Sequence, residues 1–573
     1  MTFDLRLERW IPFRRVSGAI EWGPPSLLTE GVMGGDPIVS VSWTRPDFDG
    51  AIQEFLIGLL SVALAPADED EWLERWHTPP TPDELRAVLA ALPPAFYLDG
   101  DGPRAFQDLA ADAFADCTPS PIAQLLIDAP GDQGIRQNKD LFVKRERVGV
   151  LSRAAAAMTL VTMQTYAPAG GAGNRTSLRG GGPLTTLVDP RPLDGPVPMQ
   201  ALWYLVWANV ETVEQREERA GGRAGAAGRA PDAGVFPWLA PTRHSDPKNG
   251  GAPTTPRDAD PLQAYFGLPR RLRLEVGGAG HCDLTGLEDS ATVTGFRQRP
   301  WGAQYQGWHH PLTPHYESKE GWLPLHGQSE GVVWRDWLGL LVANAVQGRR
   351  PARSVAHFLA RRARRVGCHE PSVRAFGYDM DNMKARGWVE ARLPAFALDD
   401  AELRERVAAL AGRLVEATES AAYHLLQAVK GALFGGADAP GDLSHVKQAL
   451  WHATEAPFHA SVRALVGGTP ATTLQGDFRG TLEREGLRLF DGFAGTEATA
   501  PDAMKRLVGA RYSLVLTLRG HGKSGQKLFT ALALPLPGDA SVPATRASAR
   551  TPAPKANKGS RTRAATPHTP GSA

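Results

Sequence analysis

The GHGKSG run at Gly520–Gly525 offers a lysine and a serine after glycine, the close of a phosphate-binding loop. That loop also needs a glycine five residues before Gly522, where Thr517 stands. The apolar run ahead of it reads as helix, not strand, so the sequence predicts a solvated break in the last helix. WHHPLTPHYE supplies His309, His310, His315 and Glu317, all side chains able to hold a metal. Pro311 and Pro314 make it an irregular loop with no one face, and no HExxH spacing is present, so loop packing is the reading. No GxSxG elbow, dinucleotide fingerprint or Cys–His arrangement in a recognisable context occurs, so nothing positive supports an enzyme.

Two further runs suit phosphates. GRRPARSVAHFLARRARRVG carries Arg349, Arg350, Arg353, Arg361, Arg362, Arg364 and Arg365 without an acid. A helix from Pro351 would gather the last four into a dense basic surface, either for phosphate contact or paired with acids elsewhere. APAGGAGNRTSLRGGGPLTTLV, residues 167–188, holds six glycines between Gly170 and Gly182, with Arg175 and Arg179 among them. As a dinucleotide loop it fails, because Thr176 replaces the third glycine. As a linker it is poorly suited, being punctuated by Arg175, Leu178 and Arg179. A loop whose backbone lies close against a ligand fits it better.

Positioning such loops takes a large scaffold, and 573 residues are enough for two to four domains. With 63 basic and 62 acidic side chains the net charge is only +1, so any nucleic acid must be met by local patches. Cys117, Cys282 and Cys368 form no CxxC pair, which suggests neither a disulfide framework nor a cysteine-rich zinc site. The opening MTFDLRLERWIPF lacks a signal peptide's apolar core, and the run Phe55–Pro66 is too short for a bilayer. A soluble cytoplasmic protein with no membrane partner is expected.

The pattern predicts an α+β chain: a large mixed N-terminal globular domain over 1–395, then a C-terminal four-helix bundle over 396–537. A disordered basic tail over 538–573 follows, with six Lys/Arg and no acid after residue 540. Helices are expected at Ala51–Leu64, buried, and Thr81–Leu92, capped through Thr81-Pro-Asp-Glu84. Residues 216–259, rich in Arg, Ala, Gly, Pro and Asp, read as a flexible surface excursion. Strands are expected at Arg271–Val276 and Thr292–Phe296. The bundle reads as 399–434 capped by Asp399, 443–466, 481–492, and 503 to about 534, with Gly435 and Gly436 stopping the first.

The order of motifs then carries a resemblance. LERWIPF (7–13), AFYLDGDGPRAFQD (95–108), the glycine stretch, and FGYDMDNMKARGW (376–388) precede the terminal helices. Over about residues 1–535, weakest at 216–260 and 320–350, the chain resembles the CasA family, the large subunit of the type I-E CRISPR surveillance complex, Cascade. The resemblance implies a non-enzymatic subunit without cofactor. It would read the short protospacer-adjacent motif (PAM) of double-stranded target DNA, help start unwinding, and dock the CRISPR nuclease-helicase. Guide RNA and the other Cascade subunits (backbone, small and guide-end-capping) would be its partners.

In that family a glycine loop lies against the PAM duplex from the minor groove. Here Ala169, Gly170, Gly171, Ala172 and Gly173 match it, with Arg175 and Arg179 for flanking phosphates, or Arg179 to brace the loop. The family's wedge hairpin matches Asp381, Asn382 and Met383, Met383 supplying an apolar wedge, with Lys384 and Arg386 for the parted strands. An ordinary Asp-Asn turn is the plain alternative. The family's minor-groove lysine falls in TGFRQRPWG, where Arg297 or Arg299 would replace it. A loop toward the guide RNA and the neighbouring subunit matches NKDLFVKRER through Phe142, Lys144 and Arg145. Some relatives hold zinc through cysteine pairs; Cys282 stands alone, so no metal is expected. The competing function is a general nucleic-acid-binding scaffold or RNA-processing factor using the basic helix and tail.

Overall fold

The computed structural model describes residues 2–138, 140, 143–171, 173–192, 196–220, 232–381, 383–435, 442–495 and 500–537. At its centre lies the helix Pro46–Ala63, buried along nearly its whole length. It starts five residues before the expected Ala51. Arg45 is extended, Pro46 supplies a preset first turn, and Asp47 and Asp49 complement the helix N-terminus. The helix Arg153–Tyr166 packs along it. The helix Pro82–Ala90 begins as the sequence indicates, with Thr81 and Glu84 forming a reciprocal capping box.

Among the described residues, four antiparallel sheets of three or four strands accompany these helices, besides a two-stranded one that pairs Gly280–His281 with Glu288–Asp289. Ile11–Arg15 is flanked by Ile20–Gly23 and Ile38–Val41. Thr292–Arg299 pairs with Arg271–Val276, and also with Ser120–Pro121 and Leu151–Ser152. Ser372–Asp381 lies between Thr185–Asp189 and Lys384–Pro394. His315–Ser318 lies between Gly321–Pro324 and Arg349–Arg350.

The expected surface excursion at 216–259 needs correction. Residues 221–231 lie outside the described residues, but the chain from 232 runs into the core. Phe236 and Trp238 are fully buried, and the Trp238 indole donates to the Ala95 carbonyl at 2.6 Å. Burying two large aromatic side chains outweighs the Gly/Pro/Arg composition around them.

The C-terminal helices are Ala401–Phe434, Ser444–Val466, Ala471–Ala494, Pro501–Leu518 and Gly522–Ala531. The first packs against the other four. Its cap is Asp400, one residue past the expected Asp399, accepting from the Glu402 and Leu403 amides. Gly435, at φ 77°, ends it as expected. The third helix starts ten residues early, directly after Pro470. The fourth is two helices, broken at left-handed Gly520 (φ 87°), in the stretch that resembled a phosphate loop. Trp334 ties this region to the rest: its indole donates to the Trp451 carbonyl and its ring stacks on Phe458 at 4.3 Å. Among the described residues no helix is long and apolar enough to cross a membrane.

Candidate nucleic-acid interface

The glycine stretch leaves the end of the helix Arg153–Tyr166 and divides into two halves with different physics. In the first half, Gly173 is left-handed (φ 80°), and a Cβ there would lie 2.7 Å from the Trp301 ring. The Trp301 amide donates to the Gly173 carbonyl at 2.9 Å. A Cβ on Gly170 would meet Asn174 at 2.8 Å. Both positions therefore need glycine for the fold itself. Gly171 does not: it is exposed, its φ is ordinary, and a Cβ would meet nothing within 4 Å. Ala172 lies outside the described residues.

Side chains behind this half hold it in place. Gln298, on the strand Thr292–Arg299, donates to the Asn174 side chain. Arg270, buried, donates to the Pro168 carbonyl at 2.6 Å, and burial lowers its guanidinium to about 10. A buried cation next to the loop makes the local potential positive. Arg175, expected at a phosphate, bonds Ser245 Oγ at 2.8 Å and lies 4.8 Å over the Trp301 ring.

The second half, Gly180–Gly182, is packing glycine. A Cβ on Gly182 would overlap Met380 Cγ at 2.4 Å, and one on Gly181 would lie 3.2 Å from the Ala169 amide nitrogen. Between the halves, Arg179 points inward. Its guanidinium meets Glu54 at 2.7 Å and donates to Thr185 and Thr313, with the two charged side chains 3% and 4% exposed. Tyr166 and Thr185 also donate to Glu54, each at 2.7 Å. Of its two expected roles, the geometry favours the brace: the guanidinium is buried, and both its terminal nitrogens are bonded within the fold.

The stretch then enters the strand Thr185–Asp189, whose neighbour Ser372–Asp381 is the first arm of a long hairpin. The hairpin stands on the central helix. Gly50 leaves room for Phe376 and Trp388, which stack at 5.7 Å, and the Tyr378 hydroxyl donates to Asp47 at 2.6 Å. Register runs to Asp381 opposite Lys384, with a bulge at Asp379/Met380 that increases local twist. At the tip Asp381 and Lys384 are exposed, and Met383 is 56% exposed. Asn382 lies outside the described residues. Arg386 clamps Asp379 through two bonds of 2.7 and 2.8 Å, so it stiffens the arm.

Residues 4–489 match the family model of CRISPR-associated protein Cse1. The chain belongs to that family. Solved structures agree on the fold. Cse1 of Thermobifida fusca is 17% identical, with TM-score 0.64 over 93% of this chain and 98% of that one. Cse1 of Acidimicrobium ferrooxidans is 18% identical, with TM-score 0.64 over 93% and 99%. A chain of a structure described as a CRISPR RNA-guided surveillance complex is 19% identical, with TM-score 0.62 over 90% and 99%.

Against this Cse1 fold, the arginines assigned as minor-groove readers need correction. Arg297 bonds Glu275 at 2.7 Å and the carbonyls of Phe114, Ala115 and Cys117. Arg299 bonds the Ala113 carbonyl and Asp116. Both guanidiniums fasten the 111–117 segment, whose carbonyls converge on them. The strand residue that reaches the glycine loop is Gln298. It sits between the two arginines in sequence, and as a neutral side chain it gave no charge signal.

The basic run is also largely neutralised. The helix Arg353–His357 passes into a wider π turn, Phe358–Arg362, which turns Arg362 into the core. There Arg362 bonds both Glu69 oxygens (2.8 and 2.9 Å) and lies 4.0 Å over Trp72. Arg353, Arg364 and Arg365 pair with Glu218, Asp399 and Asp70. In the expected RNA-contact loop, Lys144 is exposed and 3.3 Å from Asp140, while Phe142 and the Arg145 side chain lie outside the described residues. His315 belongs to a strand, not a loop, and no group of three potential metal ligands occurs among the described residues.

Proposed function

We propose that this chain is the large, non-catalytic subunit of a type I-E CRISPR surveillance complex, reading the PAM of double-stranded DNA from the minor groove. The observation that carries this reading is Gly171. A Cβ there would meet nothing within 4 Å, so packing does not account for its bareness, and close approach of a partner to the backbone would. A minor groove about 6 Å wide is such a partner, because it admits bare backbone more readily than bulky side chains. Buried Arg270 adds positive potential at the same place, which suits phosphates on either side of a groove.

The hairpin extends the reading to unwinding. An exposed Met383 at the tip of a stiffened arm, on the sheet the glycine stretch feeds, suits an apolar wedge that unstacks a base step. Pairing with guide RNA would then supply the sequence specificity, with the other Cascade subunits and the nuclease-helicase as partners. The general scaffold reading loses its main support, since five arginines of the basic run are spent on carboxylates.

The test is binding of the reconstituted complex to duplexes with randomised PAM positions, for wild type and Gly171→Asp. The fold tolerates this change, whereas Gly173→Asp would strain the loop against Trp301 and leave the result ambiguous. The variant should assemble on guide RNA and lose motif-dependent binding. A wild type without PAM preference, or a variant that binds equally well, overturns the reading.

A further inference from the structure

The histidine run and the start of the arginine run have no part in that reading, yet strand pairing sets them side by side. Arg350 is the register partner of His315, and Arg349 that of Tyr316. Opposite residues of an antiparallel pair share a face, so the Arg350 and His315 side chains lie on one wall. With the helix Ala401–Phe434 they bound a cleft of about 630 Å³, which shares no residue with the glycine stretch or the hairpin.

The cleft has two characters. Its lining includes the cationic or polar Arg219, Arg350, Arg353, Arg404, His309 and His315, and the apolar Leu341, Val342, Pro351 and Leu359. The charges do not cancel on the lining, where Glu405 is the one carboxylate. Arg219 and Arg353 are paired with Glu211 and Glu218. Arg404 donates to the Leu398 and Asp399 carbonyls. Arg350 has only the Trp322 ring, at 4.2 Å, and no carboxylate partner among the described residues.

Two buried nitrogens are also unspent. His315 is 4% exposed, and its Nε2 has no hydrogen-bond partner among the described residues; the same holds for Arg219 Nε. Burial, then the neighbouring His309 and Arg350, pushes the His315 ring down to about 3, so it is a neutral imidazole whose one N–H goes to the Thr313 carbonyl and whose Nε2 is a bare acceptor. An unpaired guanidinium and an excess of positive charge on the lining both want an anion. The apolar wall and the volume want a body attached to it.

We infer that this cleft binds a small organic phosphate of mononucleotide size. The phosphate sits on Arg350, and the apolar or aromatic body lies on Leu341 and Val342. The same chemistry is carried by a free mononucleotide and by the terminal nucleotide of a strand.

Isothermal titration calorimetry on the full chain tests this with adenosine monophosphate, adenosine, inorganic phosphate and a short 5′-phosphorylated single strand. Adenosine monophosphate should bind at one site, more tightly than either fragment. A tighter single strand would identify a strand end as the source; a weaker one, the free nucleotide. Arg350→Leu should weaken binding about tenfold or more, the worth of a charge-assisted contact to phosphate. Ala360→Trp, which fills the half-buried lining, should do the same, with melting temperatures unchanged. No binding at millimolar nucleotide, equal binding of inorganic phosphate, or wild-type affinity in both variants overturns the inference.

Discussion

Arg179→Met separates a brace from a DNA contact. In the structure this guanidinium is 3% exposed and 2.7 Å from a Glu54 carboxylate that is 4% exposed. Removing it leaves the carboxylate buried with two hydroxyl donors, Tyr166 and Thr185, and no cation. A buried pair broken on one side costs about 3–5 kcal/mol. Removing both charges, as in Arg179→Met with Glu54→Gln, leaves only unpaired neutral groups and should cost about 1–2 kcal/mol. The double variant should thus be about 2–3 kcal/mol more stable than Arg179→Met alone. Hydrogen exchange over 177–188 is the stability readout, because the amides of this segment open when the brace fails. Duplex binding is the second readout. The double variant, folded and assembled, should keep the wild-type dependence of log K on log salt, since no phosphate contact has gone. The reasoning fails if Arg179→Met exchanges like wild type while its salt slope becomes shallower by about 0.9, the signature of one lost phosphate.

Three further outcomes follow from the geometry. Burial opposes ionisation of Glu69, but His357 and Arg362 more than offset it and hold the carboxyl at about 2, below its ordinary 4.5. Because the folded value is depressed, this stability, about 3 kcal/mol at most, is present above pH 4.5 and lost as pH falls toward 2; Glu69→Gln should flatten that acid limb in urea titrations. Gly173→Ala should cost about 2–4 kcal/mol from left-handed strain and contact with Trp301, and Gly171→Ala almost nothing, read by hydrogen exchange at 168–177. Met383→Ala should leave stability unchanged within about 0.5 kcal/mol and slow strand opening next to the PAM, followed by 2-aminopurine fluorescence at the first base pair; unchanged opening removes the wedge role.

Local signals in the sequence were sufficient wherever the physics is local. The Thr81/Glu84 capping box, the stop at Gly435, the break at Gly520 and the strands at 271–276 and 292–296 (the latter running on to Arg299) all rest on neighbouring residues, and all are present. The order of motifs was sufficient for the family, because motif order survives where overall identity is only 17–19%. What each arginine does was not legible. Arg179, Arg297, Arg299 and Arg362 look alike in sequence, and their partners lie 125, 22, 183 and 293 residues away. A guanidinium is a phosphate contact or an internal clamp according to which carboxylates and carbonyls the chain brings to it, and only the tertiary structure makes that choice. The same holds for the glycines: composition marked the stretch as special, but packing against Trp301 and Met380 separates those the fold needs from Gly171, which it does not.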